Sequence, residues 1–164
     1  MAYLLDSDVF IQAKNLHYGF DFCPAFWDWV DHRAAAGEVL SIEKVKDELV
    51  GGGDDLATWA QQRGDQFFLT PDADVLASLR TVSTWANGAG YEQAAVNIFL
   101  QAADYYLVSH AHAGGHTVVT HEVPSPSLKK IKIPDACIGV RVKCMTPFQM
   151  LRAERARFVL PGVA

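Results

Sequence analysis

Cysteine is scarce in this chain, and its three thiols, Cys23, Cys137 and Cys144, form no C-x-x-C pair. An odd count without the spacing of zinc ligands is typical of buried thiols in a reducing compartment, and it argues against a disulfide framework or a cysteine-based zinc site. No uncharged apolar run reaches about 18 residues, so the sequence predicts no membrane span. Met1–Leu5 is followed at once by Asp6 and lacks the basic and long apolar regions of a signal peptide, so we expect a cytoplasmic protein.

Internal repeats and low-complexity segments are also missing. The 164 residues are 50% hydrophobic and 20% charged, close to the globular average, which excludes a disordered chain and a collagen-like repeat. Two linker-like stretches, 51–55 and 123–127, are too short to separate two cores. We therefore expect a single domain over residues 1–164.

Charge is unevenly distributed within a net charge of −5. Residues 1–123 carry 6 basic and 17 acidic side chains, whereas residues 124–164 carry 8 basic and 2 acidic ones. Such an acidic chain is not a nucleic-acid binder of the usual basic kind. A local cationic strip opposite an acidic cluster could still hold a phosphodiester, and a solvated surface of uneven charge is the alternative.

Short apolar runs alternate with helical stretches along the chain. Unbroken apolar runs suit strands that are covered on both faces, as in parallel sheets, and strands alternating with helices favour right-handed crossovers. The sequence thus predicts an α/β three-layer sandwich with a mainly parallel central sheet of four to five strands. The expected strands are Tyr3–Leu5, Val39–Leu40, Phe67–Leu69, Thr117–Val119 and Val140–Met145, and the expected helices are Pro24–Ala36, a helix capped by Ser41 and running through Leu49, Asp72–Ala86 and Glu92–Ala113.

Acidic residues follow two of these strands and lie on two of these helices. Asp6 ends the first apolar run, and Glu122 ends the run that starts at Thr117. Ligands of open parallel sheets bind beyond the carboxyl ends of strands, where the strand order reverses, so the two carboxylates would face one crevice if their strands are neighbours there. Glu48 lies at the edge of the apolar face of its helix, and Asp104 lies on the helix that starts at position 92.

Asp104 is the last member of a polar stripe on that helix. Gln93, Asn97 and Gln101 precede it at helical spacing, which gathers the four side chains on one narrow face. The stripe is either the solvent face of a buried helix or the lining of a polar cleft, and the periodicity alone favours solvent.

Carboxylates that converge without cationic partners destabilise one another's ionised forms, and a divalent cation relieves this repulsion. Mg²⁺ and Mn²⁺ prefer carboxylate and water oxygens, and such an ion polarises a phosphoryl oxygen and makes water a stronger nucleophile. The pattern therefore favours metal-dependent hydrolysis of a phosphodiester. Taken singly, each acid is better explained as a surface residue, and Asp6 is equally a helix cap, but four acids on two strand ends and two helices make that explanation weaker.

At this point the sequence resembles the PIN domain family, of which the VapC-type toxin ribonucleases are the best-known members. The last matching segment looks most like a PIN-like branch known only as a domain of unknown function. The resemblance covers nearly the whole chain, and its segments run in family order: YLLDSDVF at 3–10, SIEKVKDEL at 41–49, AADYYLVSHA at 102–111, TVVTHE at 117–122 and IPDACIGVRVKCMTP at 133–147.

The resemblance implies endonucleolytic cleavage of RNA that depends on Mg²⁺ or Mn²⁺, an antitoxin that blocks the cleft, and a homodimer as the working unit. It places the metal ligands and catalytic acids at Asp6, Glu48, Asp104 and Glu122, the last where the family more often has Asp. Supporting roles fall to Asp8, Thr120 and Asn97, whereas Glu43 and Asp135 are further acids that compete for a role.

Basic residues near the C-terminal end form a candidate strip for RNA phosphates, which would position the backbone without reading bases. A solubilising loop and edge strand explain the same charges. The candidates are Lys129, Lys130, Lys132, Arg141 and Lys143.

Two other functions stay open. A haloacid-dehalogenase-type phosphatase opens with an apolar strand and D-x-D-x-[TV], which Asp6–Val9 matches with Asp6 as nucleophile, but this chain offers no matching later acidic pair. The other open function is a non-catalytic PIN-like module that binds RNA or protein. It stays open because this chain has Glu at position 122, where the family more often has Asp. A zinc site formed by histidines is disfavoured, since it needs three or four converging ligands.

Overall fold

Five short strands form the centre of the computed structural model, which describes residues 1–162. They are Tyr3–Leu5 (β1), Val39–Ile42 (β2), Phe68–Leu69 (β3), Thr117–Val119 (β4) and Lys143–Met145 (β5). All pairings are parallel and the order is β3-β2-β1-β4-β5. The predicted α/β fold with a parallel central sheet is therefore confirmed.

The strand order reverses between β1 and β4. From β1 the chain builds β2 and β3 outward on one side, and then crosses to the other side for β4 and β5. Leu4 and Leu5 of β1 and Val118 and Val119 of β4 are fully buried, as expected for central strands covered on both faces. The carboxyl ends of β1 and β4 thus flank the crevice in which open α/β sheets bind ligands.

Helices connect the strands and cover the sheet. The long α5 packs against α7, and α7 contacts both β2 and β4. The helices are Ser7–Gln12 (α1), Pro24–Ala35 (α2), Glu43–Gly51 (α3), Asp55–Gln61 (α4), Ala73–Gly88 (α5), Gln93–Gln101 (α6), Ala103–Gly114 (α7), Ile133–Gly139 (α8) and Pro147–Ala153 (α9), and a π-helical segment, Ala13–His17, continues α1.

Two expected helices differ from the observed ones. Ser41 is not an N-cap: it is buried in β2, where its hydroxyl donates to the Leu5 carbonyl at 2.6 Å, and α3 starts at Glu43. The expected helix Glu92–Ala113 is interrupted at Ala102, whose extended backbone (ψ 157°) ends α6 and begins α7. The break redirects the chain and moves the residues after it to a different face.

The last expected strand is shorter than predicted. Residues 140–142 belong to the turn after α8, where Arg141 takes a left-handed conformation with φ 60°, and β5 begins only at Lys143. By contrast, α2 ends within a residue of the predicted position, and Gly37 follows it at φ 73°, as a C-terminal glycine should.

No helix within residues 1–162 is long and apolar enough to cross a bilayer. The three cysteines are free thiols in the part of the chain that the structure describes.

Candidate active site

Asp6 lies at the switch point of the sheet. It follows β1, caps α1 by accepting from the Ser7 N–H at 2.8 Å, and is tied to β4 because its own N–H donates to the Val119 carbonyl at 2.9 Å. Its side chain is only 5% exposed. The carboxylate is therefore held, nearly buried, between the carboxyl ends of β1 and β4.

Thr120 joins this carboxylate to a second one. Its buried hydroxyl lies 2.9 Å from Asp6 Oδ2 and 3.1 Å from Asp8 Oδ2. A hydroxyl has one proton to donate, so the two carboxylates share a single donor. Asp8 also accepts from the His121 N–H, at 3.1 and 3.2 Å to its two oxygens. The loop after β4 thus positions both acids that flank the start of α1.

Glu48 reaches the same region from α3. Its Oε2 accepts from the Ser7 hydroxyl at 2.8 Å, although the side chain itself is exposed. Asp104 arrives from the first turn of α7, which starts at the break at Ala102. The charge of each acid acts on a neighbouring carboxyl group: that of Glu48 on Asp104, and that of Asp104 on Asp6.

Burial and neighbouring acidic charges raise the pKa of Asp6 and of Asp104. Burial raises the pKa of Asp6 well above its ordinary value, and the charges of Asp8, Asp104 and Glu122 raise it further, whereas the Thr120 hydrogen bond lowers it. Burial, followed by the charges of Glu122 and Glu48, raises the pKa of Asp104 to about 6, with Lys130 opposing the shift in part. Acids from four separate segments therefore face one another at this edge of the sheet.

The charge of Glu122 acts on Asp6 and Asp104, and its side chain also has a structural partner. Its Oε2 accepts from the Ile133 N–H at 2.8 Å, at the start of α8, where the first N–H groups lack helical partners. Asp135, in the first turn of α8, also has a structural role, because it accepts from the Ser125 N–H at 3.0 Å and fixes the loop after β4. Glu122 is thus shared between the acidic cluster and the anchoring of α8.

The chemistry of this donor set fits a hard divalent cation, since its charged members are carboxylates, and burial followed by neighbouring acidic charges raises the pKa of Asp6 and of Asp104. Within residues 1–162, however, no three His, Cys, Asp or Glu side chains form a group compact enough to enclose a metal ion as they stand. Asp6, Asp104, Glu48 and Glu122 are the residues that would hold such an ion.

Comparison with known proteins assigns the chain to a family. A family model described as "Domain of unknown function (DUF4411)" matches residues 3–158. The chain belongs to this family. No curated protein matches the sequence of this DUF4411 domain.

A solved structure extends the comparison to the fold. The DUF4411 domain is similar to a chain in the crystal structure of VapBC2 from Rickettsia felis bound to a DNA fragment from their promoter. The two chains are 18% identical, the match covers 89% of this chain and 98% of the other, and the TM-score is 0.55. The likeness supports a PIN-like fold, in agreement with the resemblance seen in the sequence.

Basic residues of the DUF4411 domain do not form one continuous strip. Lys129 and Lys130 line a cavity of about 290 Å³ beside Asp104, together with apolar side chains of α6. Arg141 and Lys143 line a different cavity, near Met1. Because Lys143 begins β5, it lies at the amino end of the sheet, opposite the carboxylates. The structure therefore places the predicted strip residues at two separate cavities, with Lys132 at the N-cap of α8, and their binding of RNA phosphates stays a prediction.

Asn97 lies on the exposed face of α6. Gln93, Asn97 and Gln101 are all exposed on α6, and Gln93 Nε2 donates to Asn97 Oδ1 at 2.9 Å. The polar stripe is thus a solvent face as far as Gln101, and the break at Ala102 separates Asp104 from it. The structure gives Asn97 a hydrogen bond with Gln93, and its supporting role stays a prediction.

Sequence reasoning overlooked Ser7 and the two backbone N–H groups of His121 and Ile133. They are donors to Glu48, Asp8 and Glu122, respectively. Ser7 stands between the two acids of DSD and could have been identified from that position. The backbone donors have no signal in the sequence, because a backbone N–H is present at every residue except proline.

Proposed function

We propose that this protein is an endoribonuclease that depends on Mg²⁺ or Mn²⁺ and is the toxin of a toxin–antitoxin pair. The observation that carries the proposal is the group of carboxylates at the β1–β4 switch point, where burial and then the charges of neighbouring acids raise the pKa of Asp6 and of Asp104. Stability alone does not favour such an arrangement, since each charge adds to the cost of the others. A substrate that arrives with divalent cations removes that cost.

In this proposal Asp6 and Asp104 hold the cation directly, and Glu48 and Glu122 complete the set. When bound, the cation supplies Lewis-acid polarisation of the phosphodiester and lowers the pKa of water. Thr120 and Asp8 are positioning residues, because the hydroxyl orients the Asp6 carboxylate at 2.9 Å. Lys130, beside Asp104 in the same cavity, is placed to attract a phosphate of the RNA strand.

The proposed partners follow from the fold. The similar solved structure contains VapBC2 bound to a DNA fragment from its promoter, and the sequence resembles the PIN family of the VapC-type toxins. We propose an antitoxin protein that covers the acidic crevice, a homodimer as the working unit, and a cytoplasmic location shared with the RNA. Each of these can be tested on the purified chain and in the cell.

The direct test is RNA cleavage with Mn²⁺ or Mg²⁺, with and without EDTA. We expect cleavage that EDTA stops and that Asp6→Asn abolishes, since the substitution removes one ligand charge and keeps the shape. Asp74→Asn, an exposed acid in the first turn of α5, is the matched control and should cleave normally. Unchanged cleavage by Asp6→Asn would refute the site.

Toxicity gives an independent test in bacteria. Overexpression of the chain should arrest growth, and Asp6→Asn should relieve the arrest. An arrest that persists in the variant would separate toxicity from the carboxylate site.

A non-catalytic PIN-like binding module is the second candidate function. It is favoured by one observation, the hydrogen bond from the Ile133 N–H that occupies Glu122 Oε2. A binding module would retain RNA or protein affinity and release no fragments with either metal. A phosphatase using Asp6 would instead turn over a generic phosphomonoester, so one assay panel separates the three activities.

A further inference from the structure

Three aromatic rings form a cluster beside the carboxylates that the proposed function does not use. His17 stacks on His121 with ring centroids 5.8 Å apart and planes 28° apart. Phe148 meets both rings edge-on or tilted, at 5.2 Å from His17 and 5.7 Å from His121. We refer to His17, His121 and Phe148 as the aromatic platform.

The platform is assembled from three distant segments on the carboxyl side of the sheet. His17 ends the π-helical segment after α1, His121 follows β4, and Phe148 lies in the first turn of α9, just after β5. Helical π segments are rare and often occur at functional sites. Here an i→i−5 bond of 2.7 Å, from the Tyr18 N–H to the Ala13 carbonyl, closes the segment that presents His17.

The platform is adjacent to the acids through the backbone. His121 follows Thr120, whose hydroxyl bonds Asp6, and the His121 N–H itself donates to Asp8. A phosphodiester held at the carboxylates therefore has its attached nucleoside within reach of these rings.

The platform is also supported from the protein side. Tyr18, which lies 6.0 Å from the His17 ring, stacks on buried Phe26 with centroids 4.5 Å apart. His17 is itself exposed, whereas His121 and Phe148 are half-buried. Rings backed by the core and open to solvent on one side lose little conformational entropy when a flat ligand binds.

Within residues 1–162, the ring nitrogens of His17 and His121 make no hydrogen bond. Hydrogen bonds to histidine ring nitrogens in residues 1–162 involve His112 and His116. The imidazoles of His17 and His121 can therefore donate to, or accept from, the edge of a base or a ribose hydroxyl in addition to stacking.

We propose that the aromatic platform stacks an unpaired nucleobase of the RNA next to the cleaved phosphodiester. This inference rests on the proposed function, because it adds a base-binding contact beside the phosphodiester that the site would cleave. A base within a duplex has both faces covered by its neighbours, whereas an unstacked base in a loop or single strand can lie on an aromatic side chain. Specificity for unpaired RNA thus arises at the platform and not at the acids.

The test measures binding separately from cleavage. The probe is a 2′-O-methyl RNA oligonucleotide that contains one 2-aminopurine, and it is used both alone and annealed to its complement. EDTA and the Asp104→Asn chain are used so that the RNA is bound and not cleaved. Fluorescence anisotropy gives affinity, and quenching of 2-aminopurine reports stacking. We expect the single strand to bind more tightly than the duplex and to be quenched.

Substitutions in the platform should weaken this binding. Base–aromatic stacking predicts a loss of about 5- to 150-fold for His17→Ala or Phe148→Ala, with loss of quenching. His17→Phe keeps an aromatic ring and should restore both signals. His32→Ala, an exposed histidine of α2, is the matched control. Because His17 is exposed, its variants should keep the melting temperature of the parent. If Phe148→Ala unfolds, Phe148→Leu is used in its place.

The two proposals fail in different ways. The platform proposal is overturned if His17→Ala and Phe148→Leu leave the affinity for the single strand unchanged. It is also overturned if the duplex binds as tightly as the single strand. Either result holds even if Asp6→Asn abolishes cleavage. Conversely, if the parent chain releases no RNA fragments but loses oligonucleotide binding in His17→Ala, the platform is supported and the nuclease proposal is overturned.

Discussion

The hydroxyl of Thr120 and the carboxylate of Asp6 lie 2.9 Å apart across the junction of β1 and β4, although 114 residues separate them in the chain. The same hydroxyl lies 3.1 Å from Asp8. One side chain thus organises two neighbouring acids, and in turn accepts from the Glu122 N–H at 3.1 Å.

Replacing this hydroxyl should impair catalysis more than folding. In Thr120→Val, Asp6 and Asp8 lose a shared donor, and loss of such a partner behind a metal ligand typically reduces metal affinity or activity about 10- to 100-fold. The free energy of unfolding should fall by about 1–3 kcal/mol, because buried acceptors are left unsatisfied. Metal-dependent RNA cleavage and chemical denaturation measure the two effects.

Thr120→Ser restores the hydroxyl and should recover most of the activity. Thr117→Val, at the other end of β4, is a control for a buried threonine away from the acids. Equal activity of Thr120→Val and the parent would show that the hydroxyl does not position Asp6.

Asp104→Asn should stabilise the protein at neutral pH when EDTA is present. The pKa of this carboxyl is about 6 in the folded chain against an ordinary 3.8, so the folded state binds the additional proton between these values. The contribution of Asp104 to the free energy of unfolding is therefore greatest below pH 3.8. It declines as the pH rises to about 6, by roughly 1–3 kcal/mol. The melting temperature of Asp104→Asn minus that of the parent should be positive at pH 7 and vanish near pH 4.

His110 acts in the opposite direction and must be separated from this effect. Burial lowers its pKa from 6.5 to about 4, so the unfolded chain binds the additional proton, and stability declines as the pH falls through this range. Because His110 is present in both proteins, the difference between Asp104→Asn and the parent cancels its contribution. A difference that stays constant from pH 7 to pH 4 would contradict the assigned role of Asp104.

Divalent cations should stabilise the protein through the same carboxylates. At a concentration of about 100 times the dissociation constant, Mn²⁺ would add about 2.7 kcal/mol to the free energy of unfolding. Glu48→Gln should reduce the rise in melting temperature, whereas Asp47→Asn, the exposed neighbour on α3, should not. Equal shifts in both variants would place the cation elsewhere.

Glu122→Gln should be milder than Glu122→Ala. Glutamine keeps an oxygen that can accept from the Ile133 N–H, now bonded at 2.8 Å, while it removes the charge from the acidic cluster. We expect reduced metal affinity with normal stability for the former, and reduced stability as well for the latter. Complete loss of cleavage in Glu122→Gln would make this residue a direct ligand.

Local patterns in the sequence were sufficient for the sheet and for the position of most acids. Strands such as β1 and β4 are short apolar runs because they are buried on both faces, and a polar residue directly after such a run lies at a strand end. Asp6 could be placed at the edge of a parallel sheet on this basis alone. Ser41 shows the limit, since an amino-acid type common at helix caps is buried here in β2.

What the sequence by itself determined is therefore the alternation of strands and helices and the carboxylates that follow β1 and β4. Tertiary structure decided which side chains meet: the break at Ala102 turned Asp104 toward the acids, strand direction sent Lys143 to the far edge, and the loop after β4 brought Thr120 to Asp6. The physical reason is that burial periodicity is a local property. Distances between segments 114 residues apart depend instead on strand order and on packing, which no local pattern encodes.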